Sequence, residues 1–421
     1  MPAPDIDRVA AAIWRIESAK LIAGLTRLLR RVDLAEEIAQ DTFVDALESW
    51  RRSGVPENPG GWLRTASRHR ALDVLRRTRV MERKNEELEH ELVTSQPASF
   101  EEASDDAVKD DLLRLMFVAC HPVLAQDSRV ALTLRLLGGL STDEIARAFL
   151  VPESTIGQRI YRAKRTLTEK DVPFELPAPA ELRARLDSVL EVVYLIFNEG
   201  YSATAGDDWM RPGLCQDALR LGRVLADLMH SSSEVHALVS LMELQASRER
   251  ARVGPEGEAV LLPDQDRSKW DTLLIRRGLE GLARAERLAA DRPGPYLIQA
   301  AIAACHARAP NIAETDWTRI ASLYAALGHI APSPIVELNR AVAAGKAFGP
   351  AAGLAIADSL RADAALFDYP FLPSVRAALL AELGRFAEAL AEVERAATLT
   401  KNEREKELFL KRAAAYARQR C

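Results

Sequence analysis

The chain has 421 residues, 48% of them hydrophobic and 28% charged, with a formal net charge of −5 and a pI near 5.9. That length exceeds one ordinary core and predicts about two to four domains, while no apolar run approaches the roughly 18–20 residues that span a bilayer. The acidic balance disfavours a free-standing nucleic-acid binder, because phosphate affinity comes from Lys and Arg, so any such contact must be local. Aromatic residues make up only 6%, and neither alternating β-branched segments nor Asn-Gly hairpin signals occur, so an all-α fold is expected. The N-terminal Met-Pro-Ala-Pro-Asp-Ile-Asp lacks the basic and apolar regions of a signal peptide, and a cytoplasmic location is expected. Cys120, Cys215, Cys305 and Cys421 are scattered and do not cluster with histidines, which predicts buried thiols rather than metal ligands or disulfides.

A first helix spans about Asp5 to Arg31, a bundle helix with Val9, Ile13 and Ile16 on one side. Arg27, Arg30 and Arg31 near its end are phosphate contacts or solvated surface. In the second, Val32, Ala35, Ala39, Phe43, Ala46, Leu47 and Trp50 form one apolar stripe, with Asp33, Glu37, Asp41, Asp45 and Glu48 opposite. Ser53 to Gly61 then reads as a loop that no helix crosses. From Trp62 to Arg79 a third helix sets Arg64, Arg68, Arg70, Arg76, Arg77 and Arg79 against a single acid, Asp73. The succession suggests one protein partner and one polyanion. Loop residues and Trp62 can frame a pocket for an unstacked base; Trp62 serves equally well as a core anchor.

Asp33 to Phe43, followed by Gly61 to Arg77 (Gly-Trp-Leu-Arg-Thr-Ala-Ser-Arg-His-Arg-Ala-Leu-Asp-Val-Leu-Arg-Arg), resembles region two of the extracytoplasmic-function (ECF) sigma factors. The resemblance implies that Glu37, Gln40, Asp41 and Phe43 bind core RNA polymerase. It also implies that Asn58, Trp62, Arg64, Arg68, His69, Arg76 and Arg77 read and open the minus-ten promoter element. His69 stands where the family often has Asn.

Residues 81–110 read as a solvated linker. Between Glu82 and Asp110 ten acids (Glu82, Glu86, Glu87, Glu89, Glu91, Glu101, Glu102, Asp105, Asp106, Asp110) face three bases (Arg83, Lys84, Lys109). Residues 111–170 rebuild into short helices, among which His121 reads as packed or capping. Ser141-Thr-Asp-Glu144 is a capping box with Leu140 stapled to Ile145, Val151-Pro152 makes a turn, and a helix follows from about Ser154 to Leu167. This is a helix-turn-helix, with Ile156, Ile160, Ala163 and Leu167 inward. Leu140 to Ala146 and Val151 to Lys164 resemble region four of the same family, which reads the minus-thirty-five element. Ser154, Thr155, Gln158, Arg159, Arg162, Lys164 and Arg165 are its implied DNA contacts, and Gly157 replaces a common basic residue.

After a Pro-rich linker at 171–180 an ordinary ECF sigma factor would stop, yet about 240 residues follow. Residues 181–270 predict a helical domain, its first helix ended by Gly200 as a left-handed C-cap. Asn198, Glu199, Asp207, Asp208 and Arg211 invite an acid–base reading. No nucleophile, metal set or phosphate loop accompanies them, so caps and ion pairs are expected instead. In residues 271–421, Arg376 to Ala396 resembles a tetratricopeptide repeat through Ala377, Gly384, Phe386, Ala389 and Ala396, with a weaker copy at Ala341. Such repeats bind peptides or proteins; a plain helical domain is the other reading. The layout resembles ECF sigma factors with a long C-terminal helical extension. It implies a non-enzymatic initiation factor without cofactor or metal, partnered by core polymerase and promoter DNA and regulated in cis by its extension. The rival is a stand-alone helix-turn-helix regulator with a sensor or enzyme-like C-terminal half.

Overall fold

A computed structural model describes residues 6–86, 105–203, 208–255 and 257–419. Among these the chain is all-helical, with one isolated antiparallel bridge between Val253 and Ala259. No described helix is long and apolar enough to cross a membrane. The helices group into two compact units, residues 1–193 and 194–421.

The first unit opens with α1 (Ile6–Leu29), α2 (Val32–Ser53) and α3 (Pro59–Glu86), which pack on one another. The apolar stripe of α2 is buried at Ala35, Ala39, Ala46 and Trp50. The expected loop is shorter than its Pro and Gly content suggests. Pro59 starts α3, where its missing N–H costs nothing, and Asn58 Oδ1 accepts the Gly61 N–H at 2.9 Å as a cap. The acidic linker also narrows: residues 81–86 continue α3, α4 (Asp105–Ala119) begins within it, and residues 87–104 lie outside the described residues. Then come α5 (Gln126–Leu136), α6 (Thr142–Phe149) and α7 (Glu153–Glu169). His121 closes the turn before α5, its Nδ1 accepting the Val123 N–H at 3.1 Å; burial, helped by Arg185, lowers its pKa to about 4.

The Pro-rich stretch is not a loose tether. Phe174 is buried, and α8 (Pro179–Tyr201) starts in the first unit. Arg185 donates to the Phe117 carbonyl (2.9 Å) and Ser188 to that of Cys120 (2.6 Å), while Arg129 pairs with Glu191 (3.1 Å). The units therefore divide inside α8, after Val193, rather than at residues 171–180.

The second unit contains α9 (Pro212–Leu228), α10 (Ser233–Ala246), α11 (Thr272–Ala289), α12 (Pro295–Arg308), α13 (Trp317–Ile330), α14 (Pro334–Phe348), α15 (Pro350–Ser359), α16 (Phe371–Glu382), α17 (Phe386–Leu399) and α18 (Glu403–Gln419). Gly200 is no C-cap. It stays within α8 at ordinary φ, and a Cβ there would lie 2.6 Å from the Cys215 nitrogen, so glycine serves the close approach to α9. Gly384 does adopt a positive φ (+76°), in the tight turn from α16 to α17. Ala341, Ala377, Ala389 and Ala396 are completely buried, letting neighbouring helices of the tetratricopeptide-like extension approach closely. Asn402 fastens the unit across its length. Its Oδ1 accepts the N–H groups of Arg404 and Glu405, capping α18, and its Nδ2 donates to the carbonyls of Ala203 (3.1 Å) and Asp208 (2.9 Å).

The acids that invited an enzymatic reading have structural partners. Glu199 and Arg211 form a half-buried ion pair, and the Asp208 backbone serves Asn402; Asp207 lies outside the described residues. Cys120, Cys215 and Cys305 are buried free thiols, and burial pushes the first two up to about 11 and about 12; Cys421 also lies outside the described residues.

Candidate nucleic-acid interface

Helical periodicity sorts the candidate residues by face. On α2, Glu37 and Asp41 point to solvent and Gln40 is half-buried, its amide donating to Glu36 (2.5 Å). Phe43 is set against Trp14, ring centroids 4.7 Å apart, and so shapes the acidic surface more than it projects from it. Asp45 pairs with Arg70 of α3 at 2.9 Å.

On α3, Arg64, His69, Arg76 and Arg77 are exposed and Arg68 is half-buried, forming a basic strip that begins at the exposed cap Asn58. Arg64 lies 3.4 Å from Glu17, and Arg76 lies 3.4 Å from Asp73. Trp62 is half-buried and meets Trp50 edge-on at 5.8 Å, so it works partly as the anchor of the helix start. Arg27 of α1 faces Asp111, and Arg30 and Arg31, in the turn that follows it, face Glu175 and Asp33 respectively.

The helix-turn-helix is built as its residues dictate. Ser141 and Glu144 form a complete capping box, Leu150 takes the left-handed conformation (φ 50°) at the turn, and Ile156, Ile160, Ala163 and Leu167 bury the inner face of α7. Ser154, Gln158, Arg162 and Arg165 lie outward, with Thr155 half-buried beside them. Arg165 is braced by Glu169 at 2.6 Å, which raises its pKa. Two expected DNA contacts pair with acids: Arg159 with Asp127 of α5 (2.6 Å), and Lys164 with Glu36 of α2.

Sequence reasoning missed Glu36 and Tyr161. Tyr161 is 65% exposed on the outward face with Gln158, Arg162 and Arg165, which the spacing 154, 158, 161, 162, 165 would have revealed. Glu36 is nearly fully buried and takes both Lys164 and Arg135 (2.6 Å). Burial works to raise its pKa, but the two cations outweigh that, and the carboxyl sits below its usual range. A cleft of about 630 Å³ runs between α2 and α7, lined among others by Glu37, Gln40, Tyr161 and Arg165. Thus the outer surfaces of the acidic helix and of the helix-turn-helix open onto one cleft, joined at its floor by Glu36.

An acidic helix, a basic helix and a capped helix-turn-helix in one unit define the class of multi-helix DNA-binding proteins of the helix-turn-helix type. Residues 17–80 match the family Sigma-70 region 2, residues 114–167 match Sigma-70, region 4, and residues 185–286 match a family of unknown function, DUF6596. The chain is 42% identical to an uncharacterized protein of Rhizobium meliloti over 90% of this chain and 89% of that one. It is 29% identical to the ECF RNA polymerase sigma-E factor of Haemophilus influenzae, over 36% of this chain and 82% of that one. It is also 29% identical to the ECF RNA polymerase sigma factor SigK of Mycobacterium bovis, over 38% and 85%. The crystal structure of yeast Tom70 aligns at 11% identity and a TM-score of 0.32, covering 99% of this chain and 88% of that one, a likeness too loose to argue from. The chain belongs to the ECF sigma factors, in the group with a long C-terminal helical extension.

Proposed function

We propose that this sigma factor binds core RNA polymerase through the exposed acids of α2, with Glu37 and Asp41 as the charged contacts, Gln40 beside them and Phe43 as their apolar support. The basic strip of α3 then serves the minus-ten element: Asn58 and Trp62 frame an extruded base, while Arg64, Arg68, His69, Arg76 and Arg77 track the backbone and base edges. The outward face of α7 serves the minus-thirty-five element through Ser154, Thr155, Gln158, Arg162 and Arg165, to which Tyr161 is added. Arg159 and Lys164 join that set when their acidic partners release them.

The observation that carries this reading is the triad of Glu36, Arg135 and Lys164. A lysine of the DNA-reading helix cannot serve phosphate while a buried carboxylate on the polymerase-binding helix holds it. The arrangement is therefore a resting one, and productive binding parts α7 from α2. Residues 194–421 act in cis on that equilibrium. The test is run-off transcription by core polymerase with equal amounts of the full chain and of residues 1–193. Promoter-specific transcripts from the full chain support the sigma reading, and a several-fold difference in output between the two supports control in cis. Absence of any promoter-specific transcript overturns the first, and equal output the second.

A further inference from the structure

The extension unit holds a second concentration of chemistry that promoter recognition does not use. Arg248 and Arg252 follow α10, and Arg267 lies before α11; their guanidinium groups gather on three aromatic rings. Arg252 sits 3.7 Å from the Tyr201 ring centroid and 5.4 Å from that of Trp209. Arg248 bridges the rings of Tyr201 and Trp270 at 5.8 Å from each, and Arg267 lies 4.5 Å from Trp270. Arginines partly withdrawn from water are ordinarily neutralised by carboxylates. Here Arg252 donates to the Tyr201 carbonyl and Arg267 to the carbonyls of His306 and Ala309, and among the described residues no carboxylate pairs with any of the three. The surroundings pull Arg252 and Arg267 below the usual guanidinium range, through burial first and then the neighbouring charge of Arg248. His306 is brought down to about 4 by burial and by Arg248 and Arg267, which makes it a neutral ring at physiological pH.

Unpaired polar atoms belong to the same rings and to residues beside their arginines. Tyr201, Trp209, Gln265 and Trp270 are each more than nine-tenths buried. Yet both indole N–H groups, Gln265 Oε1, Arg267 Nη2 and His306 Nδ1 have no hydrogen-bond partner, and the Tyr201 hydroxyl meets only the Arg252 guanidinium. Buried polar atoms are almost always satisfied, and a group of them in one place marks a site for something that satisfies them. Two indole donors and three cations are complementary to negative charge, while the aromatic faces beside them suit an organic body more than a hydrated inorganic ion.

We propose that this aromatic–arginine cluster binds a carboxylate-bearing organic anion. The carboxylate lies against Arg248, the guanidinium without backbone hydrogen bonds and therefore the one able to turn to a ligand, and it accepts from the Trp270 indole N–H. The carboxylate comes from a small free acid or from an acidic side chain of a peptide, and both present the same planar, two-oxygen group to a guanidinium fork.

The experiment titrates the full chain with benzoate, with glutarate, and with an acetylated, amidated tetraglutamate peptide, against sodium chloride at matched ionic strength. Tryptophan fluorescence and thermal melting are followed together. Saturable fluorescence change with a raised melting temperature is expected from at least one probe, and which probe responds separates the free acid from the peptide source. Arg248→Gln should weaken that binding roughly tenfold or more, and Trp270→Phe, which keeps a ring but removes the N–H, should weaken it less. Both variants should show the parent circular dichroism, since Arg248 supports no backbone carbonyl. Responses no larger than those to sodium chloride, or unchanged binding in Arg248→Gln, would overturn the assignment. Promoter-specific transcription is scored separately, so failure here leaves the sigma reading intact.

Discussion

Replacing Glu36 by Gln keeps the shape of the side chain and removes the charge that joins α2 to α7. Glu36 holds Arg135 and Lys164, and the two cations keep about one-fifth of their side-chain surface exposed (21% and 22%). Removing one partner of a fully buried ion pair costs about 3–5 kcal/mol. The partial exposure of the cations lowers that figure, as does the Leu140 carbonyl that Arg135 keeps (3.1 Å), which leaves about 2–3 kcal/mol, chiefly from Lys164. Because α7 can escape the penalty by leaving α2, the cost is expressed as a shift of roughly 30- to 150-fold towards the parted arrangement. Spin labels at Arg52→Cys on α2 and Lys170→Cys after α7 report the separation, and affinity for a minus-thirty-five duplex reports the released lysine. Glu36→Gln should lengthen and broaden the distance distribution and tighten DNA binding. A distance distribution and a duplex affinity indistinguishable from the parent would refute the reasoning.

Glu37→Lys combined with Asp41→Lys should abolish co-purification with core polymerase while the melting temperature stays close to the parent, since both acids are exposed. Arg162→Ala should cost about 1–3 kcal/mol of duplex affinity at one base step if it reads a base, or an even loss across all promoters if it touches phosphate; unchanged binding to every variant would remove α7 from the interface. Glu36 has its pKa depressed from the ordinary 4.5, so its contribution to the resting arrangement is complete above that value and is lost as pH falls through the depressed one. The spin-label distance should therefore hold at neutral and mildly acidic pH and lengthen only below about 4.5. A fragment ending at Asp171 should be less stable than one ending at Val193 by at least about 2 kcal/mol, because the bonds from Arg185 and Ser188 to the Phe117 and Cys120 carbonyls are missing; matched denaturation curves check this.

What could be read from the chain was what is local. The stripe of α2, the capping box at Ser141 and the inward face of α7 are periodic or contiguous patterns, and each stands in the structure as its residues dictate. What could not be read depends on distant partners. Lys164 looks like any basic residue of a DNA-reading helix until Glu36, on a helix far back in the chain, is brought to it. Gly200 has the sequence context of a C-cap, and only the approach of Cys215 shows that the missing side chain, not the backbone angle, is what matters. Arg248, Arg252 and Arg267 pass for solvated charges because the rings that receive them come from Tyr201, Trp209 and Trp270.

The Asn402 fastening bears on how the protein is made. Its two donor bonds close a span of 199 residues back to Ala203 and 194 back to Asp208, whereas repeat arrays usually consolidate pair by pair as they emerge. At about 5–20 residues per second, the ribosome needs roughly 10–40 s to travel from one end of that span to the other. During that interval the helices of the first unit are already complete, while the Ala203 and Asp208 carbonyls still lack their donor. A nascent or prematurely ended chain thus carries a completed first unit and an unfastened extension, so the cis control proposed above would begin only when synthesis has passed Asn402.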